Sequence, residues 1–313
     1  MRVATFSYKG QAARLGAPNG GLMIDLNAAH RVMLATRGEP RAAETADAIL
    51  PAGTQGFLDG GERAIGAARE ALAFVDKLDA REAEERSLAY AIDSVKLHAP
   101  VPRPGTFIFI GLNYRDHAAE TGAKIPEHPT LFSKSPRCVI ANGEAIKLPK
   151  VSKMIDYEAE LAVVIGKRAK DVARDKAREY VAGYTIINDV SCRDYQRRTN
   201  QWMAGKTFDT FAPMGPYLVL TDEIPDPHVL DISLEINGKR LQHSNTKNLI
   251  FDVNALIADI SQFLTLEPGD VISTGTPGGV GFVRNPQVFL QPGDRVKIEI
   301  AKIGVLENPV EAP

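Results

Sequence analysis

The chain has 313 residues, with 37 Lys+Arg against 39 Asp+Glu, 44% hydrophobic residues and two cysteines. A net charge of −2 leaves no long-range field to gather nucleic acid or an anionic membrane surface, and Cys138 and Cys192 cannot build a disulfide framework for a chain this long, which points to a reducing compartment. No run of about 18 uncharged apolar residues is present to span a bilayer and residues 1–9 lack the apolar stretch of about 7–15 residues of a secretory signal, so the composition implies a soluble, cytoplasmic, globular protein, and the length implies one large domain plus a smaller one.

In chain order, the first ~95 residues read as a small appended unit. Short apolar runs at 3–8 and 22–26 flank Asn19-Gly20-Gly21, whose residues favour the φ > 0 turns of hairpins. Pro40 suits the first turn of a helix over 41–49. A second helix is predicted over 62–78, where Ile65, Ala68, Leu72 and Val75 recur at helical spacing. Residues 79–86, with six charges among eight, read as a solvated linker or helix end. Pro100, Pro102 and Pro104 then mark a boundary, which divides the chain into a small N-terminal domain, 1–99, and a larger domain, 100–313.

The remainder reads mainly as strands, at 107–111, 157–165, 184–188, 231–236 and 239–243. The last two flank Asn237-Gly238, the strongest hairpin signature in the chain. Residues 122–135 read as a mobile loop, a candidate lid. One helix is predicted over 252–264, with Asp252 as N-cap and Val253, Leu256, Ile257, Ile260 and Leu264 as its apolar stripe. Two Pro-Gly turns, in Leu266-Glu267-Pro268-Gly269-Asp270 and Leu290-Gln291-Pro292-Gly293-Asp294, each open a strand.

Chemistry concentrates in Asp156-Tyr157-Glu158-Ala159-Glu160-Leu161. Residues two apart on a strand share a face, so Glu158 and Glu160 point the same way among apolar neighbours. Like charges in a partly buried setting repel, and a divalent cation resolves the conflict; oxygen ligands suit magnesium, manganese or calcium better than zinc. Composition alone yields about five acid-x-acid pairs in such a chain, most of them solvated, and the apolar surroundings set this one apart. Asp189, at the end of the strand 184–188, is the candidate third carboxylate. Ser191 is a candidate cap for a short helix on which Arg193 and Gln196 are i, i+3 neighbours suited to a substrate carboxylate, with Arg197 and Arg198 as solvated face. Cys192 has no partner histidine nearby and reads as a packed small hydrophobe. His117 and Glu120, also i, i+3, can meet as a base and its orienting carboxylate. Lys206 stands beside aromatic residues in Gly205-Lys206-Thr207-Phe208, and Gly275-Thr276-Pro277-Gly278-Gly279 forms a glycine-rich loop that lets backbone approach a ligand. No dinucleotide fingerprint, phosphate loop or zinc-spaced cluster is present.

In this order the motifs resemble the fumarylacetoacetate hydrolase family: Ile110-Gly111-Leu112-Asn113-Tyr114 with His117 and Glu120; Asp156 to Leu161; Asn188-Asp189-Val190-Ser191 with Arg193 and Gln196; Gly205 to Asp209; and Gly269-Asp270-Val271-Ile272-Ser273-Thr274-Gly275-Thr276-Pro277. The resemblance implies an α+β, mainly β fold, a mixed β-sandwich roll with a small α+β N-terminal domain, assembled as a homodimer. It implies Mg2+, with Mn2+ or Ca2+ as substitutes, on Glu158, Glu160 and Asp189. It implies His117 and Glu120 as a catalytic dyad on a lid, Lys206 holding developing charge, and Arg193, Gln196, Thr276 and Tyr114 facing a small oxo-acid substrate. The activity expected first is hydrolysis of a C–C bond in an acylpyruvate or fumarylpyruvate. Oxaloacetate decarboxylation, isomerisation of a 2-hydroxy-dienoic diacid and ureidoglycolate cleavage use the same enolate chemistry, and a non-enzymatic oxo-acid-binding scaffold is the bland alternative.

Overall fold

A computed structural model describes residues 1–313. Two mixed sheets with helices form an open sandwich. The larger sheet has 12 strands. Its middle strand, Ala159–Ile165, is buried along its whole length. That burial explains why its sequence is a near-continuous apolar run: the strand is covered on both faces. It pairs antiparallel with Val181–Asn188 on one side and Val271–Ser273 on the other, and Val271–Ser273 pairs parallel with Phe107–Gly111. The smaller sheet runs Lys239–Asn245, Asp231–Ile236, Arg295–Ile300, Gly304–Glu311, Ile146–Lys147.

Turn chemistry behaves as local sequence dictates. Asn237 and Gly238 both have positive φ, 53° and 78°, and join the hairpin strands with Ile236 opposite Lys239. Gly269 and Gly293, both at φ 90°, close the two Pro-Gly turns ahead of Val271–Ser273 and Arg295–Ile300. Asp252 caps the helix Val253–Phe263 by accepting from the Ala255 amide at 2.7 Å.

Elsewhere the structure departs from the sequence-based expectations. The helix predicted over 62–78 starts earlier, as Thr54–Val75, and carries a kink at Gly61 (φ 50°, ψ −136°). A helix absent from the predictions, Leu26–Thr36, follows the third strand, capped by Asp25. Residues 79–86 contain a short helix, Ala80–Glu85, capped by Asp79. The presumed lid region 122–135 contains the strand Thr130–Ser133, paired with Phe107–Gly111. The strand expected from 157 begins only at Ala159; Tyr157 and Glu158 lie in a break after Ile155–Asp156. Ala212–Leu220 is not among the predicted strands and holds Pro213, Gly215 and Pro216, yet it is a strand bonded to Val181–Asn188.

That strand also joins the N-terminal segment to the rest of the chain. Arg2 and Val3 pair with Val219 and Leu218, so the N-terminal hairpins continue the same sheet. One core of 70 buried residues draws on both segments, from Leu15, Phe57 and Ala68 to Leu161, Ile186 and Leu218.

The sheet junction is tight enough to test. A Cβ on Gly183 would lie 2.3 Å from the Val219 carbonyl oxygen, backbone against backbone. Gly66, within Thr54–Val75, has nothing within 4 Å of the corresponding position. Gly183→Ala is expected to lower the thermal midpoint sharply or abolish soluble expression. Gly66→Ala is expected to stabilise by about 0.5–1 kcal/mol in denaturant titration. Equal, small effects at both positions would contradict the close approach of these two strands.

Candidate active site

The break at 157–158 is where the site begins. With Ala159 opposite Asn188, the ladder sets residue 158 beside 189. The Asp189 amide donates to the Glu158 carbonyl at 2.8 Å, and the Glu158 amide to the Asn188 side chain at 3.0 Å. The next strand end contributes Glu160's partners: its Oε2 accepts from Ser273 Oγ at 2.6 Å and from the Gly275 amide at 2.9 Å. One carboxylate oxygen each from Glu158, Glu160 and Asp189 then lie within 4.8 Å of one another, all buried.

Cations surround the trio unevenly. Lys206 Nζ donates to Glu158 Oε2 (2.8 Å) and Asp189 Oδ2 (2.6 Å). Lys134 Nζ pairs with Asp189 Oδ1 at 2.6 Å, and Arg193 Nη1 with Glu158 Oε1 at 2.6 Å. Glu160 has no cationic partner. Burial and the charges of Asp189 and Glu158 therefore push its carboxyl well above the usual range. Burial opposes the charge on Glu158 too, but Lys206 and Arg193 outweigh it and hold that carboxyl well below the usual range. Burial also works against the Lys206 ammonium, yet Asp189 and Glu158 prevail and raise its pKa. Four buried carboxylates, Asp156, Glu158, Glu160 and Asp189, thus face three buried cations, Lys134, Arg193 and Lys206. The surplus negative charge rests on Glu160, whose Oε1 accepts no hydrogen bond from the protein. Three hard oxygen donors around one uncompensated charge fit a magnesium-type ion.

A cavity of about 80 Å3 opens over this cluster, lined by Glu158, Glu160, Arg193, Gln196, Lys206, Thr276 and His117, with Phe132 and Trp202 as an aromatic wall. His117 and Glu120 meet as expected, Nδ1 to Oε1 at 2.7 Å, on the helix Arg115–Thr121. The glycine-rich loop holds this helix down: the Gly279 amide donates to Glu120 Oε2 at 2.7 Å and the Gly278 amide to Asp116 at 3.3 Å. Thr276 Oγ1 accepts from Gln242 at 2.9 Å, which leaves its own proton for the cavity.

Arg193 and Gln196 differ in what they offer. Arg193 Nε bonds Asp156 at 2.8 Å, Nη2 lies 2.8 Å from the same carboxylate, and Nη1 serves Glu158 and Gln196. Nε and Nη1 are committed to protein oxygens, whereas Nη2, though close to Asp156, makes no well-directed hydrogen bond. Gln196 Oε1 accepts from Arg193 at 3.0 Å, and because guanidinium only donates, the amide NH2 of Gln196 remains for a ligand. Tyr114 is fully buried and is not among the cavity-lining residues, and its hydroxyl makes no hydrogen bond. Ser191 does not cap the helix Arg193–Gln196; its hydroxyl donates to the Asp189 carbonyl at 2.9 Å. Burial pushes the Cys192 thiol up to about 11, which suits a packed, unreactive side chain. Two residues enter that the sequence reading gave no role: Lys134, from the strand end after Thr130–Ser133, and Asp156.

Comparison with known proteins bears on the family and the fold. The family described as fumarylacetoacetate (FAA) hydrolase C-terminal matches residues 106–311. The rat protein named mitochondrial oxaloacetate tautomerase Fahd2a is 46% identical over 318 residues, covering 99% of this chain and 91% of its own length. Among solved structures, the fumarylacetoacetate hydrolase of Exiguobacterium antarcticum superposes with a TM-score of 0.79 at 32% identity, covering all of both chains. The maleylpyruvate hydrolase of Sphingobium sp. SYK-6 superposes with a TM-score of 0.75 at 28% identity, also over both full lengths.

The uncompensated Glu160 has a measurable consequence. Its pKa is raised on folding, so in metal-free protein its contribution to stability is greatest below the ordinary carboxylate pKa and falls as pH rises toward the raised value. At pH 8, Glu160→Gln is expected to raise the metal-free thermal midpoint. Added Mg2+ or Mn2+, which is expected to raise the wild-type midpoint, should leave the variant unmoved. A variant less stable than wild type without metal, and still responsive to it, would contradict the charge imbalance.

Proposed function

The chain belongs to the fumarylacetoacetate hydrolase family, and from that premise we propose that it is a divalent-cation-dependent enzyme that interconverts the keto and enol forms of oxaloacetate or a closely similar four-carbon 2-oxo diacid. The observation that carries this reading is one small cavity lined by Glu158 and Glu160 of the carboxylate trio and by His117, the dyad's imidazole. At about 80 Å3, far below the several hundred Å3 of a drug-sized pocket, it suits a small substrate. The 46% identity to the rat tautomerase across 99% of the chain supports the same choice.

The protein's own groups suit proton transfer. Glu120 accepts the Nδ1 proton of His117, so Nε2 keeps its lone pair and serves as the base that takes a proton from C3 of the substrate. Negative charge then develops on the 2-oxo oxygen, where the Lys206 ammonium meets it. A divalent cation on Glu158, Glu160 and Asp189 supplies Lewis-acid polarisation of the 2-oxo acid when bound. The Gln196 amide and the Thr276 hydroxyl orient the substrate's carboxylates. Reprotonation on oxygen by His117 completes the exchange without any attacking water.

Hydrolysis of an acylpyruvate is the second reading, favoured by the same dyad: a base on Nε2 activates water as readily as it removes a C–H proton, and the maleylpyruvate hydrolase resembles this chain over its full length. Purified protein with Mg2+ separates the two. The expected outcome is faster loss of oxaloacetate enol absorbance, with no pyruvate formed and no turnover of acetylpyruvate or fumarylpyruvate. Efficient C–C cleavage with an unchanged keto–enol rate would replace the first reading by the second.

His117→Asn is expected to lower kcat by about 10²–10⁴-fold while Mn2+ binding, followed by electron paramagnetic resonance, stays at the wild-type level. Retained turnover would remove His117 from the mechanism.

A further inference from the structure

Asp156 is the fourth buried carboxylate of the site, and the proton-transfer scheme gives it no role. It lies fully buried in the last position of Ile155–Asp156. Its two oxygens collect more donors than any neighbouring carboxylate. Oδ1 accepts from the Tyr157 amide and the Gly281 amide, both at 2.8 Å. Oδ2 accepts from the Phe282 amide at 2.9 Å and Arg193 Nε at 2.8 Å, with Arg193 Nη2 also at 2.8 Å.

These donors come from two different parts of the site. Gly281 and Phe282 belong to the glycine-rich loop, and two residues back the Gly279 amide holds Glu120 of the dyad. Arg193 reaches the other way, with Nη1 on Glu158 of the carboxylate trio and on Gln196 Oε1. The loop is shaped for this contact. A Cβ on Gly281 would fall 1.7 Å from the Val288 carbonyl oxygen and 2.7 Å from Asp156 Oδ1, so only glycine brings its amide to the carboxylate.

We infer that Asp156 is a positioning residue that couples the cation site to the catalytic dyad, acting through Arg193 on one side and the 278–282 backbone on the other. Its charge balances Arg193, so that the guanidinium orients Glu158 without offering an unopposed positive charge to an incoming cation. Its second oxygen fixes the loop whose Gly279 amide sets Glu120, and through Glu120 the tautomer of His117. The inference rests on the trio as a cation site and is independent of which oxo acid is turned over.

The test is a Mn2+ titration of the full chain followed by electron paramagnetic resonance, with turnover measured alongside. Asp156→Asn is expected to weaken Mn2+ affinity by about tenfold or more, as partners behind metal ligands commonly do, and to lower kcat more than it raises KM. In an Arg193→Gln background the same change should cost less than about threefold, because the charge it balances is gone. Wild-type Mn2+ affinity in a folded Asp156→Asn variant, or penalties that multiply fully in the double variant, would overturn the coupling. Amide hydrogen exchange of the wild type keeps the test independent of that variant's folding. Mn2+ is expected to slow exchange at Gly281 and Phe282, and Arg193→Lys to remove most of that protection while sparing Gly275, which reaches the trio directly through Glu160. Unchanged protection in Arg193→Lys would also overturn it. A wild-type chain that binds no Mn2+ would overturn both this coupling and the cation site beneath it, whereas binding without turnover of oxaloacetate would leave the coupling standing and the substrate reading wrong.

Discussion

Crowding of like charge out of water is the constraint on which this structure depends. Moving one carboxylate from water into a protein interior costs several kcal/mol even after relaxation, and four are gathered in one place. Lys134, Lys206 and Arg193 offset three of them through direct contacts of 2.6–2.8 Å. Isolated buried ion pairs seldom stabilise a fold. Their use here is to define a single vacancy of charge at Glu160, and to hold the neighbouring oxygens in place around it.

The sheet is what makes that arrangement affordable. Ala159–Ile165 is bonded on both sides, so its backbone is satisfied and its side chains are locked among apolar neighbours. The polar groups of the site gather where that strand and its two neighbours end: 158 and 160 on one, 189 just past the second, and 273–276 at the end of the third. Strand ends are rigid enough to hold ligating side chains in place and open enough to admit a substrate. The helix that carries His117 packs over these ends and is tied to them by hydrogen bonds to loop amides more than by apolar burial; within Arg115–Thr121 only Ala118 is buried.

Much of the site was legible in the sequence because it is built from short local patterns. Glu158 and Glu160 stand two apart, His117 and Glu120 three apart, Arg193 and Gln196 three apart, and each spacing already states a shared face. The three carboxylates converge as those spacings and the strand end suggested. Lys134 could not be found this way. It stands 55 residues before Asp189 with no periodic partner, and only the pairing of Thr130–Ser133 with Phe107–Gly111 brings it inward. Asp156 lies inside the most informative motif but is separated from its loop donors by 125 residues. In the fold, turns and caps were readable, since Asn237-Gly238 and Asp252 act locally. Ala212–Leu220 was not, because two prolines and a glycine contradict strand propensity and are tolerated only because three other strands bond the segment along different stretches. The helix Leu26–Thr36 had a usable pattern in Asp25, Leu26, Ala29, His30 and Met33, obscured by the apolar strand that runs directly into it.

The pairing of Arg2 and Val3 with Val219 and Leu218 makes the N-terminal residues part of the shell of the catalytic sheet. Without them Ala212–Leu220 would present bare backbone donors and acceptors to solvent, an edge of the kind that recruits strands from other molecules. Arg2 and Val3 therefore act as a molecular selvedge, finishing a border that would otherwise stand open. The stretch of sequence that carries the candidate site and the stretch that completes its sheet are therefore not the same.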